Sequence, residues 1–381
     1  MRFSVDAHTI GCHLTGNEVY IRNLLNEFSK LAPDAEFIAY VSKEDAPSSV
    51  TRRILTRKVS ENPYKRLGWD LPIRLRQDRP DLLHVQYTAP IGCSAPVVVS
   101  VHDVSFLEFP EYFTRYRRTQ LRLTVKRTVE RAAAVLTPSE FSRDAILQHY
   151  RIDPRKIVVA HNAVSSQFRP IERRLARAGI EKKFGLRGPF VLTVGDLQPR
   201  KNHMGLLKAF EEAVRAHPQL THRLVFVGKE TWYSKELHRA VAESSVSERV
   251  HFTGFIDDAE VVQFYGACEL FVFPSFYEGF GLPILEAMAC GRAVACSNTS
   301  AMPEVADAAA ILFDPRSTRE IARAIADVLL DPELRVRLER LSAQRASLFS
   351  WERAAQRTLE VYRRVARGQS PVEEMARASV S

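Results

Sequence analysis

The sequence predicts an α/β protein built from two doubly wound parallel-sheet domains. Short apolar runs alternate with longer amphipathic ones along the chain, as the strand–helix units of a parallel sheet do. At 381 residues the chain is too long for one ordinary core and suits two. Both halves also open alike, with a strand, a polar loop and a helix: "RFSVDAHTIGCHLTGNEVYIRNLLNEF" in the first and "FVLTVGDLQPRKNHMGLLKAFEEAV" in the second.

The strands expected in the first half are "RFSVDA", "EFIAYV", "DLLHVQ", "PVVVSVHD", "AAVLTPS" and "KIVVAHN". Those of the second half are "FVLTVGD", "RLVFVG", "RVHFTG", "LFVFPS", "AVACSN" and "AAILFD". Nearly every one ends in small or polar residues before a helix pattern begins. That carboxyl edge is where open α/β sheets bind ligands. The first domain is expected over 1–170, and the charged stretch at 171–186 reads as an interdomain linker. A second domain follows over 187–350, then an amphipathic helix over 351–368 and a disordered tail at 369–381.

Composition removes several classes of function. A hydrophobic share of 45% with 26% charged residues is that of a soluble globular chain, and no run approaches the ~18 apolar residues of a membrane span. Met1-Arg2 leads into an alternating strand and not an apolar leader, so no signal peptide is expected. The five cysteines are scattered and never spaced C-x-x-C, which argues against a disulfide framework or a zinc site and for a cytoplasmic setting. The net charge of +9 invites a nucleic-acid reading, but the arginines are dispersed and no basic patch is interleaved with aromatics, so no nucleic-acid partner is expected. One denser stretch, "TRYRRTQLRLTVKRTVERAA" at 114–133, would form a helix with a basic stripe of Arg115, Arg118, Arg122 and Lys126. Beside an apolar stripe of Leu121, Val125, Val129 and Ala132, it could lie on an anionic membrane, steer a phosphorylated substrate, or be a solvated surface helix whose arginine stems cover apolar neighbours.

The most informative stretch is "LFVFPSFYEGFGLPILEAMACGRAVAC" at 270–296. A buried strand runs into a glycine-rich turn, and Pro283 and Gly291 bracket a short helix. Gly279 and Gly281 let a ligand approach the backbone, and a helix start is an anion site. Glu278 stands before that site and Glu286 about one turn inside the helix. A carboxylate so placed would accept hydrogen bonds from hydroxyls on either side of a diphosphate, which describes a nucleotide sugar. The plainer alternative makes Glu286 an ordinary helix glutamate and Glu278 a loop charge. In "VGDLQPRKNHMGLL", Arg200 and Lys201 would clamp two phosphates. In "VVVSVHDVSF", His102 ends a strand, where it would donate to a sugar hydroxyl, move a proton or sit as a core histidine. Gly16 and Asn17, in "TGNEVYIRNLL", open the first helix and would offer backbone N–H groups to phosphates.

Absent motifs narrow the field further. "GFGLPI" has Ile284 where G-x-G-x-x-G needs its last glycine, and no P-loop occurs. No Asp-x-Asp occurs, so no metal or other cofactor is expected, and phosphate charge would be met by Arg200, Lys201 and helix dipoles.

Together these segments resemble the retaining glycosyltransferases of GT-B fold in family 4. The resemblance rests on "EGFGLPILE" followed by "EAMACG", on "GDLQPRKN", which is similar to the mannosyltransferase variant, and on "VHDVSFLEFPEYF", "VLTPSEFSRDAI", "MPEVADAAAILFDP" and "FSWERAAQRTLEVYRRV" in family order. It implies two Rossmann-like domains facing a cleft, with the C-terminal helix crossing back to the first. It implies a hexose, mannose before others, moved from a nucleotide-diphosphate sugar such as GDP-mannose to a glycan or lipid-linked acceptor in cell-surface polysaccharide synthesis. UDP-glucose and UDP-N-acetylglucosamine stay open as donors. Glu286 would bind ribose and Glu278 the transferred sugar. Arg200 and Lys201 would hold the diphosphate, and His102 the sugar near its reacting carbon. Gly16 would approach the β-phosphate, Phe280, Gly281 and Leu282 would form the anion site, and Phe255 and Ile256 would meet the base. Two positions depart from the family pattern: Asn162-Ala163-Val164-Ser165 replaces the usual hinge, and Asp196 stands where some relatives carry a basic residue. A sugar-nucleotide epimerase or hydrolase and a non-catalytic sugar-nucleotide-binding protein are the rival functions.

Overall fold

The computed structural model describes residues 1–12, 15–44, 51 and 53–371. The chain divides into two units, Met1–Ala163 with Ser350 onward, and Val164–Phe349. In the first unit the order is β1 (Arg2–Asp6), α1 (Thr15–Leu31), β2 (Glu36–Val41), β3 (Leu55–Lys58), α2 (Pro63–Lys65), α3 (Leu71–Asp78), β4 (Leu82–Gln86), β5 (Val97–Ser100), α4 (Ser105–Glu108), α5 (Arg115–Arg131), β6 (Ala134–Thr137), α6 (Glu140–His149) and β7 (Ile157–Val159). In the second it is α7 (Arg173–Phe184), β8 (Phe190–Val194), α8 (His203–Ala216), β9 (Arg223–Val227), α9 (Ser234–Glu243), β10 (Val250–Gly254), α10 (Asp258–Ala267), β11 (Leu270–Phe273), α11 (Leu282–Ala289), β12 (Val294–Ser297), α12 (Met302–Ala306), β13 (Ile311–Phe313), α13 (Thr318–Leu330) and α14 (Pro332–Ala346). Helix α15 (Trp351–Ala366) returns to the first unit.

The first sheet runs β3-β2-β1-β4-β5-β6-β7 and the second β10-β9-β8-β11-β12-β13, with every pairing parallel. Each order reverses once, between β1 and β4 in the first sheet and between β8 and β11 in the second. Such a switch point leaves a crevice at the carboxyl ends of the two strands, because the connections there diverge to opposite sides. All twelve expected strands form; those inside the sheets are covered on both faces and are therefore largely apolar. β3 was not expected. It is an edge strand, "LTRK", with no buried residue, so its sequence carries no apolar run.

The segment 171–186, expected as a linker, is α7, and it packs in the second unit. Ala176 and Ile180 are buried with Phe264 and Tyr265 of α10, so the second unit includes residues upstream of 187. Most of its charged residues are exposed, and Arg173 and Arg177 are half-buried on Glu339 and Glu269, which is why the stretch reads as polar. Helix α15 buries Trp351, Ala355, Leu359 and Tyr362, a stripe at helical spacing, and the Tyr362 ring meets Phe28 of α1 and Phe3 of β1. Of the expected disordered tail, residues 372–381 lie outside the described residues. Residues 369–370 are tied back to α15, as Gln369 N donates to Arg364 O and Arg364 Nε donates to Ser370 O.

A buried polar chain crosses the first unit. Tyr362 Oη meets His84 Nδ1, His84 Nε2 meets Ser100 Oγ at 2.7 Å, and Tyr20 Oη meets the same hydroxyl at 2.8 Å. Burial pushes His84 down to about 3, so the ring stays neutral and must be satisfied on both nitrogens. Tyr362→Phe strands one of them and is expected to cost about 2 kcal/mol in urea unfolding. A loss under about 0.5 kcal/mol would show that the chain contributes nothing to stability.

Candidate active site

In the second unit, the loops after β8 and β11 form one cluster at the switch point. β8 ends at Val194, and Gly195 begins the turn that leads into a tight 3₁₀ turn at Pro199–Lys201. A Cβ on neighbouring Gly228 would sit 2.0 Å from the Gly195 carbonyl, so these two backbones touch and a side chain there would displace the turn. Asn202, in the left-handed region at φ 54°, starts α8. Its side chain accepts from Gly205 N and donates to Pro315 O, fixing the direction in which Arg200 and Lys201 leave the backbone.

Opposite them, β11 feeds the loop that carries Glu278. Phe276 N donates to Arg200 O at 2.9 Å, joining the two loops through their backbones. Arg200 Nη1 donates to Tyr277 O and lies 2.9 Å from Glu278 Oε1, while Lys201 Nζ donates to that same oxygen at 2.8 Å. Lys201 also sits 4.8 Å above the Phe273 ring centre. Glu278 N donates to Ser300 Oγ at 3.0 Å. Burial works against ionisation of Glu278, but the charges of Arg200 and Lys201 outweigh it and hold the carboxyl down at about 2. For Lys201 burial wins over the pull of Glu278, and its pKa is lowered. The arrangement is two cations on one carboxylate, an excess of positive charge held ready for an anion.

Gly281, at φ 99°, is the N-cap of α11. Pro283 has no N–H, and Ile284 N donates to Gly281 O, so the helix start offers fewer donors than a proline-free one would. Phe280 is buried against Phe349, and Leu282 packs on the same core. Glu286, one turn further, accepts from Tyr265 Oη of α10 at 2.8 Å. Burial lifts its carboxyl to about 7, with Asp258 pushing the same way and the Tyr265 bond and Lys201 opposing. It therefore titrates near neutrality, whereas Glu278 remains ionised. Ile256 is a core side chain, and Phe255 is 54% exposed with Lys229 Nζ 4.8 Å from its ring centre. Of that pair, only Phe255 presents a face to solvent.

The other expected residues belong to the first unit. His102, after β5, uses Nε2 on Gln86 Oε1 at 2.9 Å. Because Gln86 Nε2 donates to Thr9 Oγ1, the Gln86 oxygen must accept, so His102 carries its hydrogen on Nε2 and keeps Nδ1 as an acceptor. Burial brings His102 down to about 4, against the pull of Asp103. In this arrangement the Nε2 hydrogen of His102 is given to Gln86 and Nδ1 is the acceptor edge of the ring. Gly16 is exposed at the start of α1, where a Cβ would meet nothing within 4 Å, and Asn17 is half-buried beside it.

The structure thus joins Arg200, Lys201 and Glu278 in one charged cluster, sets Glu286 on Tyr265 within the electrostatic reach of Lys201, and places His102, Gly16 and Asn17 in the other unit. Sequence reasoning missed Tyr265, Ser300 and Gln86. Gln86 was legible as the polar end of "DLLHVQ". Nothing in the spacing of Tyr265 or Ser300 announces a partner. Among the described residues, no group of three or more His, Cys, Asp or Glu side chains is placed to hold a metal ion, and no helix is long and apolar enough to cross a membrane.

Two parallel sheets of this kind, each reversing once, are the GT-B architecture of nucleotide-sugar glycosyltransferases. Residues 14–168 match the model described as Glycosyltransferase Family 4 and residues 179–345 that of Glycosyl transferases group 1, and the chain belongs to this glycosyltransferase family. It is similar to O-antigen chain mannosyltransferase B of Escherichia coli, at 31% identity over 266 residues covering 70% of each chain. By structure it resembles sucrose-phosphate synthase of Thermosynechococcus elongatus, with TM-score 0.77, 20% identity and coverage of 97% and 99% of the two chains. It also resembles Anabaena HepE in complex with UDP-glucose, with TM-score 0.75, 20% identity and coverage of 94% and 98%.

Proposed function

We propose that this glycosyltransferase is a retaining hexosyltransferase that moves mannose from GDP-mannose to a glycan or lipid-linked acceptor in cell-surface polysaccharide synthesis. The observation that carries the reading is the Arg200–Lys201–Glu278 cluster, with Glu286 one turn into α11. An incoming diphosphate competes with Glu278 for both cations, and Glu278 is then released to hydroxyls of the transferred sugar. Glu286 accepts from ribose, and exposed Phe255 offers a face to the base. The roles of His102, Gly16 and Asn17 rest on the family resemblance alone. Mannose is favoured by the likeness to the O-antigen mannosyltransferase; the UDP-glucose complex of HepE makes uridine donors the necessary comparison.

Retention follows from attack on the face the leaving group departs from. The acceptor oxygen bonds to C1 as the C1–phosphate oxygen bond breaks, and the acceptor's proton passes to that leaving oxygen. Arg200 and Lys201 stabilise the charge that grows there. We assign no metal to this chemistry, so EDTA should leave the rate unchanged. The deciding assay supplies GDP-mannose or UDP-glucose with and without a mannose-terminated oligosaccharide and follows product anomers by NMR. α-Linked product from GDP-mannose, with nucleotide release dependent on acceptor, supports the reading. Release without acceptor points to a hydrolase, and binding without turnover to a sensor.

The same proposal places the enzyme in the cytoplasm, in peripheral contact with an anionic membrane through α5. Val125 and Val129 of its apolar stripe pack into the first unit's core, whereas Arg115, Arg117, Arg118, Arg122, Lys126 and Arg131 are exposed with Glu130 as their one exposed acidic neighbour on the helix. Attraction of this kind contributes about 1 kcal/mol per basic residue near an anionic surface and is screened by salt. Sedimentation should therefore show binding to vesicles containing phosphatidylglycerol and none to phosphatidylcholine alone. Equal behaviour on both would remove the membrane contact.

A further inference from the structure

At the switch point of the first sheet, the residues just beyond β1 form a second polar arrangement that the donor chemistry does not use. Asp6, 2% exposed at the end of β1, accepts from His8 Nδ1 at 3.0 Å and from His8 N at 3.4 Å. Behind it, Arg66 is 6% exposed, and its Nε lies 3.5 Å from the other Asp6 oxygen. Arg66 opens a π-helical turn at Arg66–Asp70, a local irregularity that is frequent at functional sites. His8 and Arg66 together outweigh the burial of Asp6 and keep its carboxyl below the usual range. The backbone around His8 is pinned as well. Ala7 N donates to Tyr40 O, and His8 O accepts from Ser42 Oγ at 2.8 Å and from Cys12 Sγ.

The result is an imidazole whose direction is set by a buried carboxylate. A carboxylate can only accept, so Nδ1 carries the hydrogen in that bond, and in the tautomer this selects Nε2 is the acceptor edge. The side chain is 23% exposed, so that edge is reachable. The next residue, Thr9, accepts from Gln86, whose oxygen holds His102. His8 and His102 therefore stand on one hydrogen-bonded frame at the carboxyl edge of β1, β4 and β5, the edge where α/β sheets bind ligands.

We propose that His8 is an acceptor-binding residue, its Nε2 receiving a hydrogen bond from a non-reacting hydroxyl of the acceptor sugar, with Asp6 and Arg66 as positioning residues. This deepens the glycosyltransferase reading and rests on it. The ligand class is a polyol, recognised by one directed lone pair, and a deoxy sugar lacking that hydroxyl is discriminated against because the site's acceptor is left unpaired.

Two measurements on the full chain test it. In ¹⁵N imidazole spectra, His8 should carry its proton on Nδ1, Asp6→Asn should disturb that preference, and the Nε2 resonance should move when methyl α-D-mannopyranoside is added. A ring protonated on Nε2, or one that does not respond to the sugar, overturns the proposal. In transfer assays from GDP-mannose, His8→Phe should raise the KM for the oligosaccharide acceptor by about 10–100-fold while donor KM stays close to wild type, and the lost partner of buried Asp6 should lower the thermal midpoint. An unchanged acceptor KM, or equal losses toward donor and acceptor, overturns it. Should the wild type fail to turn over GDP-mannose, the function proposed above fails, and the ring measurement still decides the role of His8.

Discussion

Lys201→Met is expected to slow transfer by about 100-fold while weakening donor binding far less. The reason lies in what Lys201 already does. Its ammonium donates to Glu278 at 2.8 Å, so a ground-state diphosphate must displace one anion to contact another, and little net binding is gained. During bond cleavage the leaving oxygen acquires charge, and a fixed cation stabilises that growing charge more than it stabilised the bound donor. Isothermal titration with GDP-mannose and kcat measured on the same preparations separate the two effects. A matching loss in both would show that Lys201 is a binding residue only. The substitution also has a stability signature with a definite sign. The Glu278 carboxyl is depressed to about 2, so the stability it contributes is present above about pH 4.5 and is lost as pH falls through 2. With one cation removed its pKa should climb, and acid unfolding of the variant should begin at higher pH than in the wild type.

Glu286→Gln should abolish nucleotide-sugar binding yet stabilise the free protein above pH 7. Folding lifts this carboxyl from 4.5 to about 7, chiefly by burial. Between those values the folded state binds more protons than the unfolded one, so stability falls as pH rises from 4.5 to 7 and stays reduced above. Glutamine carries no charge there and can still accept from Tyr265 Oη. The gain should be about 2 kcal/mol at pH 8 and close to zero at pH 4, read from urea unfolding at both values. Donor binding, followed by the thermal shift that saturating ligand adds, should vanish in the variant. Undiminished ligand stabilisation would remove Glu286 from the donor site, and a destabilised variant at pH 8 would contradict the cost assigned to its charge. The wild type should bind donor more tightly above pH 7 than at pH 5.5, because only the ionised carboxylate holds two hydroxyl donors well.

Much of this was legible in the sequence. The parallel sheets were readable because the strands inside a sheet are covered on both faces and so are largely apolar, while the edge strand β10 still carried the mixed run "RVHFTG". β3 escaped because an edge strand has no such requirement. Arg200, Lys201, Glu278 and Glu286 could be named because a turn before a short helix restricts residue types strongly. Taken singly each had a plainer explanation, a helix glutamate, a loop charge or a surface basic pair, and it was their joint occurrence that singled them out.

What the sequence determined by itself was the class of architecture, the strand ends to search and the residues of the charged cluster, since these follow from local periodicity and local chemistry. Tertiary structure alone decided which groups meet. It placed 171–186 in the second unit's core, turned the apolar stripe of α5 inward, and gave Glu286 a Tyr265 partner 21 residues away. It also set Glu278 and Glu286, eight residues apart and chemically alike, at about 2 and about 7. A side chain's protonation depends on the charges and the burial around it. Those are supplied by segments distant in the chain, and no local pattern encodes them.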